Sequence, residues 1–236
     1  MSRRALLLAA LLAAVPAAQA KVVELVVVHT NDVHGWILPR PERKTDRPVG
    51  GAAAFAAFVK KERAAADRFL LLDGGDWWQG TPEGSLSNGR AVAEMFDLLR
   101  YDAVVPGNHE FDAGEALLES LSRGMKTPVV ASNIHHEAAG APAPYLRPFL
   151  VKEVGGVKVG IFGVITTEMK RLAFPKNIAG VSFPPADEAA RPAVAALKKQ
   201  GAEVVVMLSH VGQEYPDRPG VFGDDTIART VPGIDL

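Results

Sequence analysis

Residues 26–36 read "VVVHTNDVHGW". Three valines run straight into His29, Thr30, Asn31, Asp32 and His34. A continuous valine run without polar alternation suits a strand covered on both faces. A turn after it needs little polar chemistry, so two imidazoles flanking a carboxylate ask for another purpose. The stretch reads as a buried strand that delivers chemically active side chains at its C-terminal end.

The same phrasing recurs along the chain. Apolar runs appear at "VVELVVVH" (22–29), "RFLLLDGG" (68–75), "YDAVVPGN" (101–108), "TPVVASN" (127–133), "VKVGIFGV" (157–164) and "AEVVVMLSH" (202–210). Helical patterns lie between them, over 52–66, 90–100, 113–123 and 186–200. Alternating strand and helix predicts an α/β layered domain with helices flanking a sheet. In "FLVKEVGGVKVGIFGV" (149–164) the glycine pair between two apolar runs predicts a hairpin, so the sheet is expected to be mixed. Asp32 and His34, Asp76, Asn108 and His109, and His210 each stand just beyond the C-terminal end of one run. Ligands bind at that edge of open α/β sheets, so four loops are expected to converge on one site.

Composition sets the frame. The 236 residues are 48% hydrophobic and 22% charged, enough for one sizeable core. "MSRRALLLAALLAAVPAAQA" (1–20) has Arg3 and Arg4, an apolar stretch over 5–15 and a small-residue ending at Ala18-Gln19-Ala20. That is the layout of a signal peptide cleaved before Lys21, and the stretch is short of the about 20 residues a membrane span needs. Residues 21–236 are then the mature domain, expected to be periplasmic or secreted. Without the two signal arginines, 24 basic residues face 27 acidic ones. No long basic run points to a nucleic-acid polymer or an anionic membrane. With no cysteine, the exported chain is held by its core, and no lipid anchor can form on an N-terminal cysteine. Nothing in the sequence sets an oligomeric state.

The convergent residues have a shared chemistry. Asp32 and His34, two residues apart, can reach one ion from a short loop, and mixed carboxylate and imidazole ligands suit Zn, Mn, Fe or Co over Ca or Mg. In "GGDWWQG" (74–80) two glycines allow the tight turn that presents Asp76. In "PGNHEFD" (106–112) Asn108 offers a neutral amide oxygen and His109 a titratable ring, and "LSH" (208–210) adds His210. Asp76 can bridge two divalent ions, with Asp32 and His34 on one side and Asn108 and His210 on the other. Two carboxylates against two divalent cations leave the centre positive, which attracts a dianionic phosphate ester. Two metals can clamp such an ester and lower the pKa of bound water.

"HTNDVHG", "GDWWQG", "GNHEFD" and "SH", in this order, resemble the calcineurin-like binuclear metallophosphoesterase superfamily, and within it the exported 5′-nucleotidase and UDP-sugar hydrolase family. The resemblance spans about residues 22–236. It implies a four-layer-type sandwich of mixed β-sheets flanked by helices, with two divalent metal ions held by Asp32, His34, bridging Asp76, Asn108 and His210. It implies that His109 stabilises the transition state or assists the leaving group, oriented by Asp112. The substrate implied is a small phosphate ester, foremost a nucleotide hydrolysed by metal-activated water. UDP-sugar hydrolysis, cyclic phosphodiester cleavage, thiosulfate-ester hydrolysis and a non-catalytic binding role are the other readings. The family continues with a Gly-His-x-His or His-x-Gln motif on a later loop and a C-terminal nucleotide-binding domain. No histidine follows His210 and the sequence given stops at "VPGIDL" (231–236), so the catalytic domain reads as truncated.

Plainer roles compete for several residues. His29 suits a strand end, and His135 and His136 suit a solvated loop. Asp112 with Glu115 matches a capping box, so it is divided between helix cap and orienting partner of His109. Glu110 reads as support behind the site or as exposed, and Asp73 as serving the turn before Asp76. Trp77 and Trp78 divide between site wall and core.

Overall fold

The computed structural model describes residues 22–214 and 220–236. The signal-peptide reading of residues 1–20 lies outside them. Two three-stranded sheets carry the architecture. In the first, Phe69–Asp73 lies between Val26–Thr30 and Ala103–Val104, all parallel. In the second, Val157–Ile165 lies between the parallel Val204–His210 and the antiparallel Phe149–Val154. The expected hairpin is there. Gly155 and Gly156 form its turn with φ of 55° and 83°, the left-handed pair of one of the favoured two-residue hairpin turns.

Side-chain alternation along the strands builds the layers. Leu71 packs with Val59, Val92, Phe96 and Leu118 from the helices Gly51–Ala65, Arg90–Leu99 and Glu115–Gly124. Its neighbours Leu70 and Leu72 point the other way, joining Val159, Ile161, Val206 and Leu208 between the sheets. Phe162, Val164 and Val205 pack outward on Ala190, Val194 and Leu197 of the helix Ala186–Lys199 and on Ile227 of Asp224–Thr230. Helices, sheet, sheet and helices therefore stack in four layers, the mixed-sheet sandwich expected. The four helical patterns match observed helices to within about two residues, the ordinary uncertainty of helix ends.

The run 127–133 departs from expectation. It forms only isolated bridges, Val104 with Val129 and Val130 with Arg147. Its polar groups are shared among three partners: Val130 N–H donates to Val104, Ala131 to Arg147 and Ser132 to Gly163. Asn133 closes the crossing, accepting from the Ile165 N–H at 2.9 Å and donating to the Ile165 carbonyl at 2.7 Å. A segment that divides its hydrogen bonds between both sheets cannot form a ladder with either. His135 and His136 also differ from the loop reading. They pair with Val181–Ser182 and Ala141–Pro142 in a small antiparallel sheet, and the His136 Nε2 lies 2.7 Å from Glu115 Oε1.

Leu236 lies along the open side of Val204–His210, its N–H donating to the Val205 carbonyl at 3.2 Å and its oxygen accepting from the Met207 N–H at 2.8 Å. No helix among the described residues is long and apolar enough to cross a membrane.

Gly163 is where the crossing segment meets the second sheet. A Cβ there would stand 2.2 Å from the Val130 carbonyl oxygen, a backbone atom that cannot swing aside. Gly163→Ala is therefore expected to destabilise the domain by about 1–3 kcal/mol, the usual range for overpacking. Denaturant unfolding checks this: the midpoint should fall at unchanged slope.

Candidate metal centre

The parallel pairing of Val26–Thr30 with Phe69–Asp73 continues past the strand ends. Asp32 N–H donates to the Gly75 carbonyl at 2.9 Å, His34 N–H to Asp76 at 3.0 Å and Gly35 N–H to Trp77 at 2.8 Å. The two loops are zipped together, and the zip sets Asp32 and His34 beside Asp76. The backbone bends sharply to do this. Asp32, His34 and Asp76 have φ of 53°, 48° and 59°. Non-glycine residues there cost on the order of 1–2 kcal/mol each, and such strain clusters at functional sites.

The third loop reaches the same point because glycine leaves it room. A Cβ on Gly107 would fall 2.1 Å from Asp76 Oδ1, and one on Gly75 would fall 2.7 Å from His210 Nδ1. His109 N–H donates to Asp76 Oδ1 at 2.9 Å. Asp76 is thus common ground. Its Oδ2 lies 3.8 Å from His34 Nε2 and 3.3 Å from His210 Nε2. Asp32 Oδ1 is 3.5 Å from His34 Nε2.

Ligand atoms of Asp32, Asp76 and His210 lie within 4.8 Å of one another, and so do those of His34, Asp76 and His109. Asp76 belongs to both groups. The partners divide differently from the sequence pairing, since Asp32 groups with His210 while remaining near His34. Asn108 lines an open cavity of about 740 Å³ together with Asp32, His210 and Asp224. His29 is exposed on that cavity wall and belongs to neither group.

The imidazoles are prepared in one way. His34 Nδ1 lies 2.7 Å from the Gln79 carbonyl, His210 Nδ1 2.8 Å from the Gly74 carbonyl, and His109 Nδ1 2.7 Å from Asp112 Oδ2. A carbonyl oxygen only accepts, so Nδ1 of His34 and of His210 must carry the proton, leaving Nε2 as the free donor atom in the neutral ring. Orienting a ring through its second nitrogen is how metal-binding histidines are held. The His34 and His210 rings, two carboxylates and a neutral amide form a donor set that fits divalent ions of the Zn, Mn, Fe or Co type.

Electrostatics agree with that fit. Burial works against the Asp76 charge, but the His210 ring and the His109 N–H outweigh it and hold the carboxyl below its usual range. For His210 burial favours the neutral ring, yet the Asp76 carboxylate beside it drives the pKa up. The pocket around Asp76 favours a positive partner.

Several roles left open are resolved. Asp112 does not cap a helix: the following helix starts at Glu115 with Gly114 as its N-cap, and no side chain caps it. Gly114, with φ of 89°, turns the chain between them. Glu110 is buried rather than exposed, with Gly107, Asp76 and Trp77 N–H groups on its carboxylate. Burial and the nearby Asp76 charge push its pKa up to about 8, against the Gly107 and Trp77 N–H donors. Trp77 and Trp78 are both core, Trp77 with its indole N–H on the Val105 carbonyl at 2.9 Å. Asp224 was not anticipated. It accepts from the Ser209 hydroxyl, and burial raises its pKa. An Asp-Asp pair opening a short helix carries no sign in sequence of the cavity it faces.

The comparisons bear on this geometry. The calcineurin-like phosphoesterase family model matches residues 25–236. The 5′-nucleotidase of Rattus norvegicus is 37% identical over 227 residues, covering 92% of this chain and 37% of that protein. Among solved structures, the 5′-nucleotidase precursor from Thermus thermophilus matches with a TM-score of 0.73 and 34% identity, over 80% of this chain and 37% of that one. The Haemophilus influenzae NAD nucleotidase matches with a TM-score of 0.70 and 29% identity, over 81% and 35% respectively. The two-sheet sandwich fits the fold of that phosphoesterase family. The chain belongs to the calcineurin-like phosphoesterase family, which uses divalent metals. It spans little more than a third of the length of the curated 5′-nucleotidases it matches.

Asp73 does serve the turn, accepting from the Gly75 N–H at 2.9 Å and from the Thr30 hydroxyl at 2.6 Å. Burial nevertheless pushes its carboxyl up to about 7 from 3.8. The folded state thus holds this proton more tightly than the unfolded chain. The resulting stabilisation is full below pH 3.8 and is lost as pH rises through about 7. Asp73→Asn, whose amide can keep both contacts by donating to Thr30, is expected to remove this fall. The difference between variant and parent should reach several kcal/mol across the window, at about 1.4 kcal/mol per pKa unit. Thermal unfolding from pH 4 to 8 checks it.

Proposed function

We propose that residues 21–236 are the catalytic domain of an exported, metal-dependent phosphohydrolase acting on nucleotides as a 5′-nucleotidase, with residues 1–20 as its cleaved signal. The observation that carries the reading is Asp76: a buried carboxylate within reach of two histidine-bearing clusters, at an edge where four loops meet. The likeness to rat and Thermus 5′-nucleotidases supports the substrate class. The basic, apolar and small-residue order of residues 1–20 supports a periplasmic or secreted location.

In this reading Asp32, His34, Asp76, Asn108 and His210 hold two divalent ions, of which Zn, Mn, Fe and Co all tolerate such ligands. Ions held there supply positive charge to phosphoryl oxygens and acidify a water. His109 does the remaining polar work. Asp112 holds its Nδ1–H, so the Nε2 faces the reacting group and can hydrogen-bond to or protonate the leaving oxygen. Asn108 contributes an amide oxygen without charge, keeping the centre positive enough to attract a phosphate dianion. A second reading, hydrolysis of a diphosphate-linked nucleotide, draws support from the NAD nucleotidase likeness.

Metal-loaded protein is expected to release inorganic phosphate from a nucleoside 5′-monophosphate. Asp76→Asn should lower occupancy of both ions together, read by elemental analysis, and loss of neither ion would count against the shared ligand. His109→Ala should reduce kcat by about 10²–10⁴-fold, the usual contribution of a proton-transfer group. Metal content should stay unchanged in that variant. Asp112→Asn should lower kcat less, by weakening the hold on the ring. A substrate panel including dinucleotides separates the two readings; silence on every phosphate ester with both ions bound would refute both.

A further inference from the structure

The carboxylate of Glu110 is 1% exposed and is met by backbone alone in the contacts that define its place. Oε2 accepts from Gly107 N–H at 2.6 Å and Asp76 N–H at 3.0 Å, and Oε1 from Trp77 N–H at 2.8 Å. Asp76 returns the contact, its Oδ1 accepting from His109 N–H at 2.9 Å. Each loop thus offers a carboxylate to the backbone of the other. We propose that Glu110 is a positioning residue, a carboxyl clamp that locks the loop 74–77 to the loop 106–109 and thereby sets the Asp76 carboxylate and His109 in register. The inference rests on Asp76 being the ligand shared by both ions.

The chemistry of the clamp demands an accepting oxygen at each of its two positions. A carboxylate accepts at both oxygens, whereas a glutamine of the same size has one accepting oxygen and one amide that only donates. Whichever way the amide is turned, it faces either the Trp77 N–H or the N–H pair of Asp76 and Gly107, donor against donor. A buried N–H left unmatched in this way is costly, about 1–3 kcal/mol. The loops also have no slack: the Gly107 Cα is already so close that a Cβ would overlap Asp76 Oδ1. A displaced Gly107 therefore displaces the shared carboxylate. His109 follows, because its N–H is bound to Asp76 and its ring rides on the same turn.

The test begins on the metal-free protein. Amide hydrogen exchange in Glu110→Gln should quicken at Asp76, Trp77 and Gly107, and also at His109. The His109 amide touches Asp76 and not Glu110, so its response reads the coupling; unchanged exchange at His109 overturns the clamp. Titration with Mn²⁺ should show affinity about 10–100-fold weaker, the range for losing a group that holds a ligand in place. Wild-type affinity in the variant overturns the proposal as well. Glu110→Ala supplies the chemical control, since formate can occupy the three-N–H nest. Formate should restore slow His109 exchange and Mn²⁺ affinity where chloride at equal ionic strength does not, and equal impairment with both salts overturns the need for a carboxyl group. Should Glu110→Gln fail to fold, Glu110→Asp, which keeps the carboxyl group but withdraws it by one methylene, is read in the same way. Wild-type protein that binds Mn²⁺ yet hydrolyses no nucleotide overturns the proposed function instead, and leaves the exchange and titration results standing.

Discussion

A carboxylate buried at the junction of two sheets needs positive charge around it, and Asp76 is 4% exposed. Charge of that kind cannot sit in a protein interior without a partner or hydrogen bonds. The surroundings of Asp76 answer the demand from three directions: the His210 ring, the His34 ring and the His109 N–H. Each arrives from a different loop, so the need to satisfy one anion ties four strand ends together. The site is organised around a charge, and the fold brings the ends of the strands to it.

The backbone bears the strain of that organisation. Asp32, His34 and Asp76 all take left-handed conformations that residues with a Cβ avoid, while Gly75 and Gly107 give up side chains so that loops can touch. Hydrogen bonds across the loops, from 32, 34 and 35 to 75, 76 and 77, hold the strained residues where they are. Behind them, Leu70, Leu72, Val206 and Leu208 fill the space between the sheets. That rigid interior makes strain at the rim sustainable, since packed cores yield little.

Much of this was legible in order along the chain. Uninterrupted Val, Ile and Leu runs marked strands covered on both faces, and polar residues just past them marked the edge where loops converge. The glycine pair at 155–156 marked the hairpin, because the favoured two-residue turns need positive φ at one or both central positions, which glycine adopts freely. The run 127–133 looked like the others and was not a regular strand. Its hydrogen bonds go to both sheets, and apolar composition does not reveal which neighbour a backbone group will find. Asp112 and Glu115 matched a capping box by spacing. The left-handed turn falls instead at Gly114, which becomes the N-cap and leaves the Asp112 carboxylate to His109.

What the sequence determined alone was the kind of groups available and the strand ends that carry them: two carboxylates, an amide and three imidazoles, each following an apolar run. Local order suffices for that, because β periodicity and loop position are short-range properties. Which of those groups share a partner was decided only by tertiary structure. Asp32 lies two residues from His34, yet its ligand oxygen groups with His210, far along the chain. Glu110, left in sequence between a supporting role and exposure, became a buried carboxyl because three N–H groups from two turns converge on it. Charge and hydrogen bonding act through space, and only the packing of the two sheets set the distances at which they act.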